Sequence, residues 1–328
     1  MSLAHDQLRS HLSHSRRIVI KVGSRVLVKN SGKPHLNRFS SIVEDIAALR
    51  KMSKEVVLVS SGAVGSGMER LGITKRPRNL PDLQMAAAIG QVRLLSRYDN
   101  LFAAHKCTVS QVLLTYDDLN DRKRHLNARN TFLALLRRGI VPIVNENDVV
   151  AVDEIKLGDN DVLAALVSVL IDADLLILLS TVNGLRDLER KGSSARIRCI
   201  PSITDEFKAL VTPHRNEISS GGMATKLQAA QSASLSGINV VIADGRKPGI
   251  VARVIGGQDV GTLIPATPSC TELRLRARKK WISLFNRPSG SLTLDQGAVD
   301  AMCSQGRSLL AVGIKQVEGV FEQGALVN

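Results

Sequence analysis

The chain has 328 residues, a length typical of two domains and sufficient to bury a substantial core. Apolar residues make up 44% of it and charged residues 23%, which excludes wholesale disorder. The 44 Lys and Arg residues exceed the 30 Asp and Glu residues, leaving a net charge of +14. That surplus favours an anionic partner, whether a nucleic acid, a membrane surface or a phosphorylated small molecule. Aromatic residues are only 3%, which weakens a base-stacking account of nucleic-acid binding.

The beginning of the chain, residues 1–16, is rich in Ser, His and Arg and lacks the apolar core of a secretory signal. We expect a flexible N-terminal extension there, with an organellar presequence as the alternative. The four cysteines lie far apart without a CxxC pair, which excludes the usual zinc spacings and a disulfide framework. We expect the thiols to be buried or incidental, in a reducing compartment. We also expect a cytoplasmic protein.

The most apolar stretch, residues 162–180, is interrupted by Asp172 and Asp174. Two charges near the middle of a membrane would be costly, so the stretch predicts a buried helix, a turn and a buried strand. We therefore expect no membrane partner. Strand and helix patterns alternate in the same way from residue 17 onward.

Six strands and five helices are predicted in this part of the chain. The strands are Ile18–Val22, Val56–Ser60, Thr108–Leu113, Ile140–Val144, Leu175–Leu179 and Asn239–Ala243. The helices are Arg38–Met52, Leu83–Ala104, Leu126–Arg137, Val162–Ile171 and Met223–Leu235. Near-continuous apolar strands separated by helices indicate an α/β fold, a mostly parallel open sheet sandwiched by helices. Ligands bind beyond the carboxyl ends of the strands in such sheets, so residues there are the first candidates for a site.

A cluster of prolines and small polar residues, Pro265–Ser269, predicts a linker. The residues beyond it are too few for another α/β unit, so we expect a small β-rich domain. Three short strands are predicted in it: Trp281–Phe285, Ser291–Leu294 and Ser308–Ala311. The predicted division is an extension at 1–16, an α/β domain at 17–268 and the β-rich domain at 269–328.

Two strand ends carry residues suited to an anion. Lys21 and Gly23 end the first strand and place a cation beside a turn whose backbone can present N–H groups. A solvated lysine at the rim of the sheet is the alternative. Ser61 and Gly62 follow the second strand and lead directly into a helix, whose unpaired N–H groups and positive dipole end would face outward. An ordinary tight turn is the alternative there.

Acids and amides concentrate in two segments, Asn145-Glu146-Asn147-Asp148 after the fourth strand and Gly158-Asp159-Asn160-Asp161 before the next helix. Such groups beside a buried strand are costly unless they bind something. They could take an amino group through charged hydrogen bonds or order nearby lysines. A simple helix N-cap at Asp159 or Asp161 is the alternative.

The fourth candidate is the segment 219–227, where two glycines open a helix and Lys226 follows one turn later. This pattern suits a nucleotide-phosphate cradle, although the chain contains no GxxxxGK[ST] motif. Together the candidates supply two lysines, two glycine turns and an acidic cluster at strand ends. That inventory suits phosphoryl transfer, in which a protein positions two anions and stabilises the charge of the transferred group.

The order of these motifs closely resembles the glutamate 5-kinase family of the amino-acid kinase superfamily. The motifs are IKVGS, SSGAVGSG, AAAIGQ, LNARNT, IVPIVNENDVV, EIKLGDND and SGGMATKLQAA. The pair NEND and GDND is the specific part, because other kinases of the superfamily share the first lysine and the glycine turns but not this pair. The block RKKWISLF with SQGRSLLAVGIKQVEGVF resembles the start of that family's C-terminal PUA domain.

The resemblance implies ATP-dependent phosphorylation of the γ-carboxylate of L-glutamate to glutamyl 5-phosphate, the first step of proline biosynthesis. Mg²⁺ would bridge the ATP phosphates, since it usually binds phosphate oxygens, waters and few carboxylates. The resemblance also implies feedback inhibition by proline in the glutamate site and a homo-oligomer, either a dimer or a tetramer. No metal-ligating side chain is implied.

Each residue that matches a family motif carries an implied role. Lys21 and Lys226 would stabilise the transferred phosphoryl group, and Asp161 would hold both lysines. Gly23 and Gly62 would supply backbone N–H groups to phosphate oxygens. The implied glutamate-binding residues are Ser61, Gly62, Asp148 and Asn160. The implied ATP-binding residues are Lys21, Gly23, Ser180, Thr181, Ser220, Gly221, Gly222, Met223, Ala224, Thr225 and Lys226.

Three segments depart from the family pattern. Ser180-Thr181 stands where the family usually has Thr-Asp, and Gly184–Arg190 lacks the usual Tyr and Pro. Ser219-Ser220 replaces the usual Gly-Thr before the glycine pair. All three lie on the ATP side, so we expect them to affect nucleotide contacts more than glutamate binding.

Two alternatives remain. One is a PUA-type RNA-binding or regulatory protein with a weakly active kinase domain. The tail from Ser269 holds 8 Lys and Arg against 5 Asp and Glu, so only +3 of the net charge lies there, which argues against RNA binding. The other alternative is a kinase of the same superfamily that acts on a different acceptor.

Overall fold

The computed structural model describes residues 2–29, 33–151, 160–187, 196–201, 203, 222–267, 290–304, 306–321 and 327. The chain divides into two compact units, residues 1–277 and 278–328. The predicted boundary at 268/269 and the unit boundary both fall in the segment 268–289, which lies outside the described residues.

A seven-stranded sheet forms the centre of the larger unit. Its strands are β1 (Arg17–Val22), β2 (Glu55–Ser60), β3 (Val109–Leu114), β4 (Val141–Glu146), β5 (Leu175–Ser180), β6 (Asn239–Asp244) and β7 (Thr262–Ile264). Their order is β3-β4-β2-β1-β5-β6-β7, and only β7 runs antiparallel to its neighbour. In register, Lys21 of β1 lies between Val59 of β2 and Leu178 of β5. The predicted parallel sheet is confirmed, while β7 escaped prediction because it is only three residues long.

Ten helices belong to the described part of this unit. They are α1 (Ser2–Ser10), α2 (Ser24–Leu27), α3 (Leu36–Lys51), α4 (Ala63–Leu71), α5 (Leu80–Ala103), α6 (Tyr116–Asn120), α7 (Arg122–Arg137), α8 (Asn160–Leu170), α9 (Met223–Leu235) and α10 (Ile250–Ile255). The five predicted helices are present, with some starting earlier than expected. Helix α7 begins four residues early because Asp121 caps it, accepting a hydrogen bond of 2.8 Å from the Arg124 N–H group.

Side-chain alternation gives the two faces of the sheet different neighbours. Ile18, Ile20 and Val22 of β1 belong to the main core cluster with residues of α3, α5 and α10. Lys21 alternates with them and faces the other side, where α8 contacts β1 and packs against α9. All six residues of β2 are buried, as expected for a strand covered on both faces.

Helices α4 and α5 pack with their backbones in contact. A Cβ added to Gly67 would overlap the carbonyl oxygen of Ala86, and one added to Gly90 would overlap that of Ala63. Neither position accepts a side chain unless the helices separate. Both glycines belong to the family motifs SSGAVGSG and AAAIGQ, so close helix packing explains part of those motifs.

The expectation of a flexible extension at residues 1–16 is wrong. Helix α1 and a 3₁₀ turn at His11–His14 lead into β1, and Leu12 is 1% exposed within the core cluster. Arg9 is also 1% exposed, and its guanidinium donates hydrogen bonds of 2.8–3.2 Å to four backbone carbonyls. The acceptors are Gln258, Val260, Arg198 and Gly261. Buried polar contacts, which composition does not reveal, order this segment.

The smaller unit contains a two-stranded antiparallel sheet of β8 (Ser291–Leu294) and β9 (Ile314–Glu318), with helix α11 (Gln296–Cys303) between them in sequence. The predicted strand at Ser291–Leu294 is confirmed. The one predicted at Ser308–Ala311 is wrong, because β8 pairs instead with the more polar segment that follows it. The strand predicted at Trp281–Phe285 lies outside the described residues. Within the described part of the chain, every helix is too short or too polar to cross a lipid bilayer.

Candidate active site

Two lysines meet a single carboxylate at the carboxyl end of the large sheet. Lys21 is 2% exposed, and its Nζ lies 2.6 Å from Oδ1 of Asp161. Lys226 is 6% exposed, and its Nζ donates a hydrogen bond of 2.7 Å to Oδ2 of the same carboxylate. Asp161 itself is fully buried. Two buried ammonium groups this close together favour an anion beside them.

Strand alternation and two helix starts bring these side chains together. Lys21 is the next-to-last residue of β1 and faces α8. Asp161 is in the first turn of α8, where the positive end of the helix dipole favours a carboxylate. Lys226 lies one turn into α9, which packs against α8. The alternative interpretation of Asp161 as a helix N-cap is wrong, since α8 already begins at Asn160.

A chain of amide side chains joins this centre to the turn after β2. Asn160 Nδ2 donates to Ser61 Oγ at 2.8 Å and to Asn145 Oδ1 at 2.9 Å. Asn145 Nδ2 in turn donates to Gln91 Oε1 on α5 at 2.8 Å. The predicted residues Ser61 and Asn160 are therefore in direct contact. Asn160 is in turn held by Asn145 of β4, which is held by Gln91 of α5.

Gln91 also lines a cavity of about 230 Å³ between α5, β3 and the end of β4. The full lining is Ala87, Ala88, Gln91, Val92, Gln111, Leu113, Glu146, Asn147, Asp148 and Val149. It combines two carboxylates, several side-chain amides and apolar groups. Carboxylates pair with an ammonium group and amide N–H groups with a carboxylate, so the cavity suits a small amino acid. The predicted residue Asp148 is part of this lining.

The turns at Gly62 and Gly23 differ in how well they suit the binding of an anion. Gly62 precedes α4 with a φ of 113°, a left-handed conformation that favours glycine. The N–H group of Gly23 already donates to the carbonyl of Leu179 on β5 at 3.2 Å. The expectation that this N–H group donates to a phosphate is corrected, because the hydrogen bond between β1 and β5 uses it.

The other candidates for nucleotide contact lie at the end of β5 and the start of α9. Ser180 ends β5 and Thr181 follows it, next to the end of β1 because these strands pair in parallel. Gly222 precedes α9, and Thr225 Oγ1 donates to its carbonyl at 2.8 Å. The remaining predicted residues are Met223 and Ala224, which open α9, and Ser220 and Gly221, which lie outside the described residues.

Comparison with known proteins places this arrangement in a family. Residues 16–244 match the amino acid kinase family, and residues 290–328 match the PUA domain. The chain is 45% identical to the glutamate 5-kinase of Moorella thermoacetica over 328 aligned residues, which cover 99% of this chain and 86% of that protein. It is 43% identical to the glutamate 5-kinase of Myxococcus xanthus over 322 residues, which cover 98% and 84%. The chain belongs to the glutamate 5-kinase family.

The fold also matches a solved structure. The UMP kinase from Bacillus anthracis aligns with a TM-score of 0.51 and 15% identity, covering 77% of this chain and 96% of that chain. At this identity the match concerns the fold alone. Membership of the glutamate 5-kinase family confirms the resemblance seen in the motifs and makes this chain a kinase with a C-terminal PUA domain.

Two cavity-lining residues and one buried tyrosine outside the cavity were missed from the sequence in this member of the glutamate 5-kinase family. The amides of Gln91 and Gln111, which line the cavity, were not among the predicted substrate residues, although Gln91 ends the motif AAAIGQ. Tyr98 was also missed; its hydroxyl lies 2.9 Å from Ser60 Oγ, at the end of β2. Burial raises the pKa of the Tyr98 phenol, which keeps it neutral. For Gln91 and Tyr98 the signal was a polar group at helical spacing on α5, a pattern that surface helices also show, and for Gln111 it was a polar residue within the apolar strand β3.

Proposed function

We propose that this chain transfers the γ-phosphoryl group of ATP to the side-chain carboxylate of L-glutamate. The product is glutamyl 5-phosphate, and the reaction is the first step of proline biosynthesis. The observation that carries the proposal is the buried carboxylate of Asp161 between Lys21 and Lys226, in a chain of the glutamate 5-kinase family.

The lysines supply the electrostatic part of the reaction. A carboxylate and a phosphate are both anions, so their approach is opposed by repulsion, and negative charge spreads over the phosphoryl oxygens during transfer. Lys21 and Lys226 offset this charge from positions that Asp161 fixes in advance. A carboxylate nucleophile is ionised near neutral pH, since its ordinary pKa is about 4.3, so no general base is needed.

The acceptor is held by the amide chain and the cavity beside it. Because Asn160 donates to Ser61 Oγ, the hydroxyl hydrogen of Ser61 can donate to a carboxylate oxygen of the substrate. Asp148, on the cavity lining, pairs with the ammonium group of glutamate. The reacting carboxylate then lies on the side of Ser61 and Asn160, toward the lysines.

The nucleotide lies over the ends of β1 and β5 and the start of α9. Ser180, Thr181 and the segment 220–226 contact it. Within the described residues, no group of three or more His, Cys, Asp and Glu side chains could hold a metal ion. Because Asp161 contacts the two lysines, Mg²⁺ would be held mainly by phosphate oxygens and water, which agrees with its preferences. When bound, Mg²⁺ neutralises charge on the phosphates.

Three further proposals rest on the family resemblance. Proline inhibits the enzyme by occupying the acceptor cavity, the enzyme is a homo-oligomer, either a dimer or a tetramer, and it works in the cytoplasm. The alternative RNA-binding function has no observation in its favour.

Purified protein with glutamate, ATP and magnesium is expected to release ADP and to form an acyl phosphate that hydroxylamine traps as the hydroxamate. Aspartate and acetylglutamate are the comparison acceptors, and Lys226→Ala is the inactive control. Turnover that does not depend on glutamate, or that equals the control, would overturn the proposal. A preference for another carboxylate would identify a different acceptor.

A further inference from the structure

The amide chain beside the acceptor site has a defined direction. Asn160 gives its N–H groups to Ser61 and to Asn145, and Asn145 gives its own N–H group to Gln91. Each amide has an oxygen that only accepts and a nitrogen that only donates. The orientation of Asn145 is therefore set at its far end, where Gln91 presents its oxygen.

Loss of the Gln91 oxygen would release that orientation. The side-chain amide of Asn145 could then flip, so that its NH₂ group would face the NH₂ group of Asn160. Two donors would then oppose each other, with no acceptor between them. Only the long contact of 3.4 Å from Asn160 Nδ2 to the Ser60 carbonyl would then hold the nitrogen toward Ser61. The Ser61 hydroxyl could then turn its hydrogen toward Asn160, leaving a lone pair for the substrate carboxylate, which needs a donor.

Gln91 occupies its position at a cost. It is 9% exposed, and its Nε2 is buried without a hydrogen-bond partner among the described residues. A buried donor without a partner is unfavourable, and an apolar side chain of similar volume would avoid that penalty. The glutamine oxygen must therefore contribute something that packing alone does not.

We propose that Gln91 is a positioning residue for the acceptor. Through Asn145 and Asn160, it fixes the Ser61 hydroxyl as a donor toward the substrate carboxylate. This inference rests on the acceptor site proposed above, and it assigns the effect to the oxygen of Gln91, which acts through Asn145. A direct contact of Gln91 Nε2 with the substrate carboxylate would instead make Gln91→Glu no better than Gln91→Met.

The test is Gln91→Met, which keeps the volume and removes the acceptor oxygen. We expect the KM for glutamate to rise about tenfold, the size of one lost hydrogen bond, while the KM for ATP stays unchanged and kcat changes less. Gln91→Glu restores an acceptor oxygen for Asn145, so it should recover a large part of the lost affinity. If Gln91→Met folds poorly, Gln91→Glu still tests the inference against wild type, because a KM for glutamate that rises about tenfold although the acceptor oxygen is kept would overturn it.

Tyr98→Phe is the matched control, since it removes a buried hydrogen bond from the same helix and leaves the amide chain intact. It should lower the melting temperature and leave the KM for glutamate within about twofold. Equal rises in both KM values for Gln91→Met would mark a structural role and overturn the inference. Ser61→Ala separates the two proposals. If it raises the KM for glutamate and Gln91→Met does not, only this inference fails, and if neither variant does, the proposed acceptor site fails.

Discussion

Arg9 and the lysine pair are both buried cations, but their surroundings differ. The guanidinium of Arg9 is surrounded by four backbone carbonyls and lies 3.4 Å from the carboxylate of Asp259. Lys21 and Lys226 instead share the carboxylate of Asp161. Arg9 closes the N-terminal segment onto the edge of the sheet that holds β7, whereas the lysines lie where a ligand can approach from the carboxyl ends of the strands.

Arg9 therefore stabilises the fold, whereas Lys21 and Lys226 are the cations that we propose bind a ligand. Carbonyl acceptors and a carboxylate offset the desolvation of Arg9, so its contacts favour the folded state. Lys21 and Lys226 lie around the Asp161 carboxylate at the carboxyl ends of the strands, where an anion would interact favourably with both ammonium groups. Variants at the two places should therefore change stability and activity in different combinations.

The largest effect is expected for Asp161→Asn. It removes the charge between two buried ammonium groups, so kcat should fall by about 10³-fold or more, and the free energy of unfolding should fall by about 3 kcal/mol. Steady-state kinetics and urea unfolding measure the two effects. A variant with near-normal kcat would mean that Asp161 does not hold the lysines for transfer.

Lys226→Met should separate activity from stability. It removes one ammonium group from the transfer site and keeps the Lys21–Asp161 ion pair, so kcat should fall by about 10²–10³-fold while the free energy of unfolding falls by less than for Asp161→Asn. Lys247→Met, at an exposed lysine after β6, is the control that should change neither quantity. A loss of stability as large as that of Asp161→Asn would contradict this separation.

Arg9→Met should give the opposite combination. It removes four hydrogen bonds and leaves Asp259 without one of its cationic partners, although the carbonyls of Gln258, Arg198 and Gly261 each keep another donor. The free energy of unfolding should therefore fall by about 3 kcal/mol, while kcat and both KM values stay normal in the folded protein. The control is Arg16→Met, whose side chain is 78% exposed and whose loss should cost less than about 0.5 kcal/mol. A catalytic defect at temperatures where Arg9→Met is folded would break the comparison.

The smallest effect concerns the pH dependence of Asp259, the acid beside Arg9. Burial works against its ionisation, but the hydrogen bond from Arg196 and the charges of Arg196, Arg9 and Arg198 hold its pKa below the usual value. A lowered pKa in the folded state contributes stability above the unfolded pKa, near 3.9, and that contribution is lost as the pH falls through the folded value. Wild type should therefore lose more free energy of unfolding than Asp259→Asn as the pH is lowered. The difference should be at most about 1 kcal/mol, because the side chain is 35% exposed. Unfolding by urea between pH 6 and about pH 3 measures it, and an equal loss in both proteins would show that Asp259 does not contribute.

Local sequence patterns predicted the sheet well because its strands are buried on both faces. An uninterrupted apolar run such as Leu175–Leu179 has few other interpretations, and parallel strands bring their carboxyl ends to one edge. The candidate lysines could therefore be placed at that edge. Their contact with Asp161 depends on how α8 packs against α9. The residue pattern alone left a helix N-cap as an alternative role for Asp161, whereas the family motifs implied its contact with the lysines.

The missed features depend on contacts between segments far apart in sequence. Arg9 finds its acceptors about 190–250 residues away, so nothing near it in the sequence marks it as buried. The sequence around Gly23 predicts a turn with an available N–H group, but in the fold this group donates to the carbonyl of Leu179 on β5. Gln91 carries the same polar side chain as a solvent-facing position on any helix. Each of these outcomes is decided by tertiary packing rather than by local propensity.

The contact of Gly67 with Gly90 has a consequence for the rigidity of the candidate site. Helix α4 starts after the Ser61–Gly62 turn and α5 carries Gln91, and the two helices are in contact backbone to backbone. Close-packed backbones resist sliding past one another. The turn that carries Ser61 and the helix that carries Gln91 therefore form one rigid part of the molecule.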